Sequence, residues 1–153
     1  MTWNHKITVA TVVERNNEFL MIEEWCHGHL RLTQPSGQVE KDETLTAAAE
    51  RETFEETGWS VEVTDLLHID WMHQHDSQRS VMRVAFVAQA KTFDATHPLD
   101  TGIVRAVWID WDTIQNKREQ WRSPAVGAAI ESYRAGRRWP IDILCQHTLD
   151  CSL

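Results

Sequence analysis

Glu52, Glu55 and Glu56 stand three and four residues apart, and at about 100° per residue their side chains share roughly 100° of arc on one helix face. Leu45, Ala48 and Ala49 fall on the same arc one to two turns earlier, so the carboxylates extend a face that should pack inward. Carboxylates that close repel one another and raise each other's pKa unless a cation compensates. A charged face in water, partly neutralised by Arg51 at i, i+4 from Glu55, is the competing reading. The apolar residues on the arc weigh against it. A hard divalent cation with oxygen ligands resolves the conflict, and Mg²⁺ characteristically combines a few carboxylates with substrate phosphates. The chemistry such a cation could supply is polarisation of bound phosphate oxygens and of a bound water.

Such ligands need a rigid carrier. Leu45 to Thr57 contains neither Gly nor Pro; Thr44 is the candidate N-cap, and Gly58 stands where a left-handed residue would end the helix. Around it the chain alternates in type. Lys6 to Glu14 and Phe19 to Glu24 read as strands joined by an Asn16-Asn17 turn, and Leu30 to Gln34 as a short strand leading into Pro35-Ser36-Gly37. Ser60 to Trp71, Val81 to Lys91 and Ile103 to Ile109 are further strands, with loops expected over His73 to Ser80 and Thr92 to Gly102. Asp110 to Glu119 holds a short helix or turn. Ser123 as N-cap and Pro124 at N1 start a helix over Ala125 to Arg134, with Gly136 after it. Residues beyond Pro140 read as a less ordered tail. This order predicts an α/β sandwich with a mixed sheet between helices.

At 153 residues, the chain is expected to form a single domain across residues 1–153. An apolar fraction of 42% and a charged fraction of 25% are those of a soluble globular protein. The net charge of −8, without a basic stripe, argues against a nucleic-acid polymer as partner. It also means that an anionic substrate approaches against the overall field, so bound metal and a few arginines must invert the potential locally. Ile7 to Val13 is too short to span a bilayer, and no membrane association is expected. Cys26, Cys145 and Cys151 are widely spaced and form no CxxC; with no signal peptide recognised, they fit reduced thiols in the cytoplasm. Most of the eight tryptophans should be core or sheet-face residues, with one or two able to stack on a ligand ring. His68, His73 and His75 match no zinc spacing.

Gly37, Glu43 and the run Arg51-Glu52-Thr53-Phe54-Glu55-Glu56-Thr57-Gly58-Trp59 together resemble the Nudix box, G-x5-E-x7-R-E-U-x-E-E-x-G-U. All seven fixed letters are present over 23 positions, with Thr53 and Trp59 where aliphatic residues are commoner. The resemblance implies the Nudix α/β/α sandwich and a hydrolase of phosphoanhydride bonds in small molecules, with Mg²⁺ as cofactor and Mn²⁺ able to substitute. It implies Glu55 and Glu56 as metal ligands, Glu52 as a further ligand or the general base, and the backbone carbonyl of Ser36 as another ligand. It also implies that Arg51 orients the box carboxylates and that Glu43 orients the loop or binds metal through water. Two departures stand out. Gln34-Pro35-Ser36-Gly37 occupies the place of Leu-Pro-Gly-Gly. Val104 and Arg105 stand where an outer acidic ligand is common, leaving Asp100 or a water for that place. For phosphate contacts, Arg31, Arg83 and Arg79 are the candidates, each competing with an ordinary surface or edge-strand role.

The segments HKITVATVVE, LTQPSGQVEKDETL and RSPAVGAAIESYRAGRRWPIDIL resemble one bacterial branch of the family. That branch comprises phosphatases of thiamine pyrophosphate, its hydroxymethylpyrimidine pyrophosphate precursor and nucleoside di- and triphosphates. Gln74 to Ser77 lack the Pro of ADP-ribose pyrophosphatases and the Tyr of diadenosine polyphosphate hydrolases. The alternatives are a nucleoside triphosphate pyrophosphohydrolase that cleans the nucleotide pool and a Nudix-like domain that binds without turnover. The complete set of box glutamates argues against the last. A monomer is expected.

Overall fold

The structure, a computed structural model, describes residues 4–74 and 79–147. Strands β1 (Asn4–Arg15) and β2 (Glu18–Cys26) form the opening hairpin. Its turn holds Asn16 and Asn17 at φ of 54° and 63°, the paired left-handed geometry of a two-residue hairpin loop that asparagine tolerates. β3 (His29–Thr33) pairs with β2, and β4 (Ser36–Gln38) returns antiparallel onto β1. Helix α1 (Leu45–Thr57) is followed by the long antiparallel pair β5 (Trp59–Gln74) and β6 (Arg79–Phe93). β7 (Ile103–Asp110) pairs with β2, then come α2 (Trp111–Asn116), α3 (Ala125–Arg134) and β8 (Trp139–Pro140), which edges β5. The sheet order is β3-β2-β1-β6-β5-β8, with β4 on β1 and β7 on β2, and the β1–β6 pairing is parallel. It is therefore a mixed sheet, as the element order predicts.

Apolar side chains leave the strands in both directions. Val9, Leu66, Val84 and Phe86 pack with Ala48 and Ala49 of α1. Val12, Leu67, Ala85 and Val87 pack with Val126, Ala129 and Ile130 of α3 on the opposite face. The Nudix α/β sandwich is this arrangement. Register shifts in β5 between Val63 and Asp65 and between Leu66 and His68 break its two-residue alternation. The second shift leaves Leu67, in the α3 cluster, without a register partner and turns His68 to that same face.

Helix α1 keeps its expected limits. Thr44 Oγ1 accepts from the Ala47 amide, and Gly58 sits at φ 74° with its N–H on the Phe54 carbonyl. Several strands run further than the pattern suggests. In particular, His73, Gln74, Arg79 and Ser80 are strand residues paired across β5 and β6, not loop, because the hairpin runs past the apolar core where no alternation marks it. The rest of that expected loop, with His75, lies outside the described residues. β4 was not anticipated; three residues carry no period. At α3, Pro124 has helical dihedrals (φ −57°, ψ −23°), and no side-chain cap bond forms at this start. Beyond Pro140 the chain does not simply trail away: Ile141 to Ile143 form a 3-10 turn, and Ile141 and Leu144 pack on the α1 cluster. Residues 148–153 lie outside the described residues. No described helix is long and apolar enough to cross a membrane.

Candidate active site

Helix α1 presents its carboxylates at the edge of its buried face. Ala48, Ala49, Thr53, Glu56 and Thr57 are buried, while Glu52 and Glu55 stand at the rim. Thr53 occupies a position where an aliphatic residue is commoner, and its hydroxyl is satisfied there. It donates to the Ala49 carbonyl at 2.7 Å and meets Thr11 Oγ1 of β1 at 2.7 Å.

Arg51 binds three acids at once. Its Nε and Nη2 reach both oxygens of Glu43 at 2.7 and 2.9 Å, its Nη1 reaches Glu52 and Glu55 at 2.9 Å each, and Nη2 also donates to the Gln38 carbonyl at 3.1 Å. The Glu43 bonds, ahead of those to Glu52 and Glu55, hold the guanidinium above its ordinary pKa, and Arg51 in turn holds Glu43 below its own. Burial outweighs the same guanidinium at Glu52 and pushes that carboxyl up. Gly37 of β4 lies against this side chain so closely that a Cβ would stand 2.0 Å from the Glu52 carboxyl carbon. Only glycine fits there.

Glu56 points inward. Burial, then the neighbouring charges of Glu52, Glu24 and Asp100, push it up to about 8, although the Ser36 amide donates to it at 2.8 Å and favours the charged form. The loop over residues 94–102 folds back onto α1 through the Asp100 amide and the His97 ring, both on the Glu55 carbonyl, at 3.2 and 3.3 Å. That brings Asp100 to the helix: one carboxylate oxygen each from Glu52, Glu55 and Asp100 lie within 4.8 Å of one another. Three hard oxygen donors converging with one guanidinium among them, beside the buried Glu56 carboxyl, fit a divalent cation of the Mg²⁺ type.

From the sequence, Asp100 is only the nearest upstream carboxylate; His97, Glu24 and Arg122, whose Nη1 holds Glu24 at 2.7 Å, carry no signal there. Of the phosphate candidates, Arg31 lies on β3 and donates to the Glu119 carbonyl, and Arg79 is exposed at the start of β6. Arg83 is buried on the α3 side of the sheet with three partners, away from the open rim of the carboxylates. His68 and His73 pair with Asp70, Ser132 and Ser80. Trp59, Phe93 and Trp108 line, with Leu99 next to Asp100, a cleft of about 400 Å³.

The NUDIX domain family matches residues 4–128, and the chain belongs to that family. It is a hydrolase fold in its close structural neighbours too: the Nudix hydrolase from Nitrosomonas europaea superposes with a TM-score of 0.91 at 38% identity, covering 94% of this chain and 98% of that one. More particularly, the chain is similar to proteins named Phosphatase NudJ. It is 35% identical over 140 residues to that of Shigella boydii and 34% identical to that of Escherichia coli K12, covering 90% of this chain and 89% of each relative.

Proposed function

We propose that this chain is a cytoplasmic, Mg²⁺-dependent phosphatase of small organic pyrophosphates, with Mn²⁺ able to substitute. Its substrates would be thiamine pyrophosphate, the hydroxymethylpyrimidine pyrophosphate precursor and nucleoside di- and triphosphates, with orthophosphate as the released product. The observation that carries the reading is the convergence of Glu52, Glu55 and Asp100 within 4.8 Å beside buried Glu56. The similarity to phosphatases supports orthophosphate release.

Glu52, Glu55, Glu56 and Asp100, with the Ser36 carbonyl, would hold the cation. When bound, it polarises phosphoryl oxygens and lowers the pKa of the attacking water. Arg51 and Glu43 act behind these ligands, locking the Glu52 and Glu55 rotamers so that little reorganisation remains for the reaction. Should Glu55, Glu56 and Asp100 suffice for the cation, Glu52, on the rim and raised by burial, would instead accept the proton of the attacking water. Glu56 must lose its proton to become a ligand, so cation affinity rises with pH. Arg31 would steer the phosphate against the chain's negative field.

The test is a substrate panel with Mg²⁺ and an EDTA control, scoring orthophosphate and pyrophosphate separately. Orthophosphate from thiamine pyrophosphate and nucleoside diphosphates, abolished by EDTA, is the expected result. Pyrophosphate alone, and only from triphosphates, would replace this reading with nucleotide-pool cleansing. No turnover of any compound would overturn catalysis itself.

A further inference from the structure

The α3 face of the sheet carries a polar chain that the reaction does not use. Ser132 Oγ of α3 meets His68 Nδ1 at 3.1 Å, and His68 Nε2 meets Asp70 Oδ2 at 3.0 Å. Asp70 accepts from Arg83 Nη1 at 3.5 Å, its cross-strand partner on β6. Arg83 also donates to the Ala125 carbonyl at 3.4 Å and, through Nη2, to Gln34 Oε1 at 2.7 Å. Gln34 completes the chain by donating to the Val126 carbonyl at 2.8 Å. Both Arg83 and Gln34 are buried, at 5% and 1% exposure. Burial pushes Asp70 up, but the His68 bond and the charges of His68 and Arg83 prevail and hold it below its usual range.

Gln34 is the point where this chain meets the candidate metal site. Two residues later the Ser36 amide grips Glu56, and between them the Pro35 carbonyl accepts from Thr11 of β1. The segment crossing from β3 to β4 is thus fixed three times in three residues: to α3 by a side chain, to β1 by a carbonyl and to α1 by an amide. A planar guanidinium suits the first fixing because it serves Asp70, Ala125 and Gln34 at once, which an ammonium cannot do in the same geometry. A buried amide with both ends bonded has one orientation, and it leaves the backbone that follows little freedom.

We infer that Gln34 and Arg83 are positioning residues for the metal site: a brace anchored on α3 that sets, through the sheet, where the Ser36 backbone stands relative to Glu56. This rests on the proposed metal-dependent reading. It also makes Gln34, a departure from the commoner Leu at that position, the partner of Arg83.

The test measures Mn²⁺ binding by electron paramagnetic resonance on substrate-free protein, together with kcat, KM and thermal unfolding. Wild type is compared with Gln34→Met, Arg83→Lys, Arg83→Met and Glu56→Gln. Gln34→Met keeps the volume and loses both bonds; it should fold and bind Mn²⁺ roughly tenfold more weakly, the scale of lost outer-shell support. Its kcat should fall at limiting Mg²⁺ and recover at high Mg²⁺, with KM little changed. Arg83→Lys retains the charge against Asp70 but not the reach to Gln34, and should match Gln34→Met in metal affinity. Arg83→Met should show the largest loss, and if it does not fold, Gln34→Met and Arg83→Lys decide. Wild-type Mn²⁺ affinity in both of those variants, with only a lower melting temperature, overturns the brace. If wild type binds no Mn²⁺, or Glu56→Gln binds it equally well, the metal reading fails first and the brace with it. Loss in Glu56→Gln but in neither Gln34→Met nor Arg83→Lys sinks the brace alone.

Discussion

The sheet carries a charged network on each face, and the two are built on opposite terms. On the α1 face, Glu43, Glu52, Glu55, Glu56 and Asp100 gather around one guanidinium, Arg51, and negative charge is left over at an open rim. On the α3 face a single carboxylate, Asp70, faces Arg83 and His68, and every member has a partner; Arg83 and Gln34 are buried, while His68 and Asp70 stand half-buried at its edge. Burial acts on both. It raises Glu52 and Glu56 on the first face, yet on the second the partners prevail and Asp70 ends below its usual range. A balanced buried network supports a scaffold; a surplus of one sign at a rigid rim is a site that lacks its counter-charge.

The comparison breaks most visibly if surplus acids prove dispensable. Glu55→Gln or Glu56→Gln should lower kcat on the order of 10²–10³-fold, the scale of losing a group that stabilises transition-state charge. Circular dichroism should show the fold intact. Near-normal turnover in both would reduce the α1 cluster to surface charge.

Next in size is pH. In EDTA, Glu56 carries a folded pKa of about 8 against an ordinary 4.5, so the native state keeps a proton that the unfolded chain loses. The stability from this group is complete below about 4.5 and falls as pH rises toward 8, by at most about 1.4 kcal/mol per unit. Denaturant unfolding of wild type minus Glu56→Gln isolates it. The variant should gain on wild type from pH 5 to 8, and a flat difference would show Glu56 already charged.

Arg51→Met removes the one cation of the cluster and leaves Glu43, Glu52 and Glu55 unpaired. It should cost roughly 2–3 kcal/mol in metal-free protein and less when Mg²⁺ is present. The smallest effect belongs to a pair in neither network: Lys91 and Glu62 are well exposed, and Glu62→Gln should shift stability by under about 0.5 kcal/mol with kcat unchanged.

What the sequence made legible follows the range of its signals. Helix α1 begins at Thr44 and stops at Gly58 because both ends are set by local backbone chemistry, and the box glutamates share a face because helical spacing is fixed. Asp100 was visible only as a nearby acid. Its place beside Glu55 depends on an amide and a ring fastening the 94–102 loop, and no local pattern encodes that. The α3 network was invisible as a network. His68 and Asp70 share a face with Arg83 only because β5 slips register beside Leu67, and Gln34 reaches them from another strand altogether. Arg83 looked like a phosphate contact because an alternating strand does not reveal which of its faces a helix covers. Strand ends near His73 and Arg79 were missed for a related reason, since backbone pairing there continues where side-chain burial has stopped.

The parallel alignment of β1 with β6 sets the order in which this molecule can assemble. Val9 lies beside Val84, about 75 residues away along the chain, and the whole glutamate motif falls inside that closure. Ala48 and Ala49 pack with Val9 and Leu66, which precede β6, and the cluster is completed only when Val84 and Phe86 arrive. During synthesis, then, the motif emerges complete yet chemically idle, and acquires its geometry only once β6 has been made and the long loop has closed, a slow step by its topology.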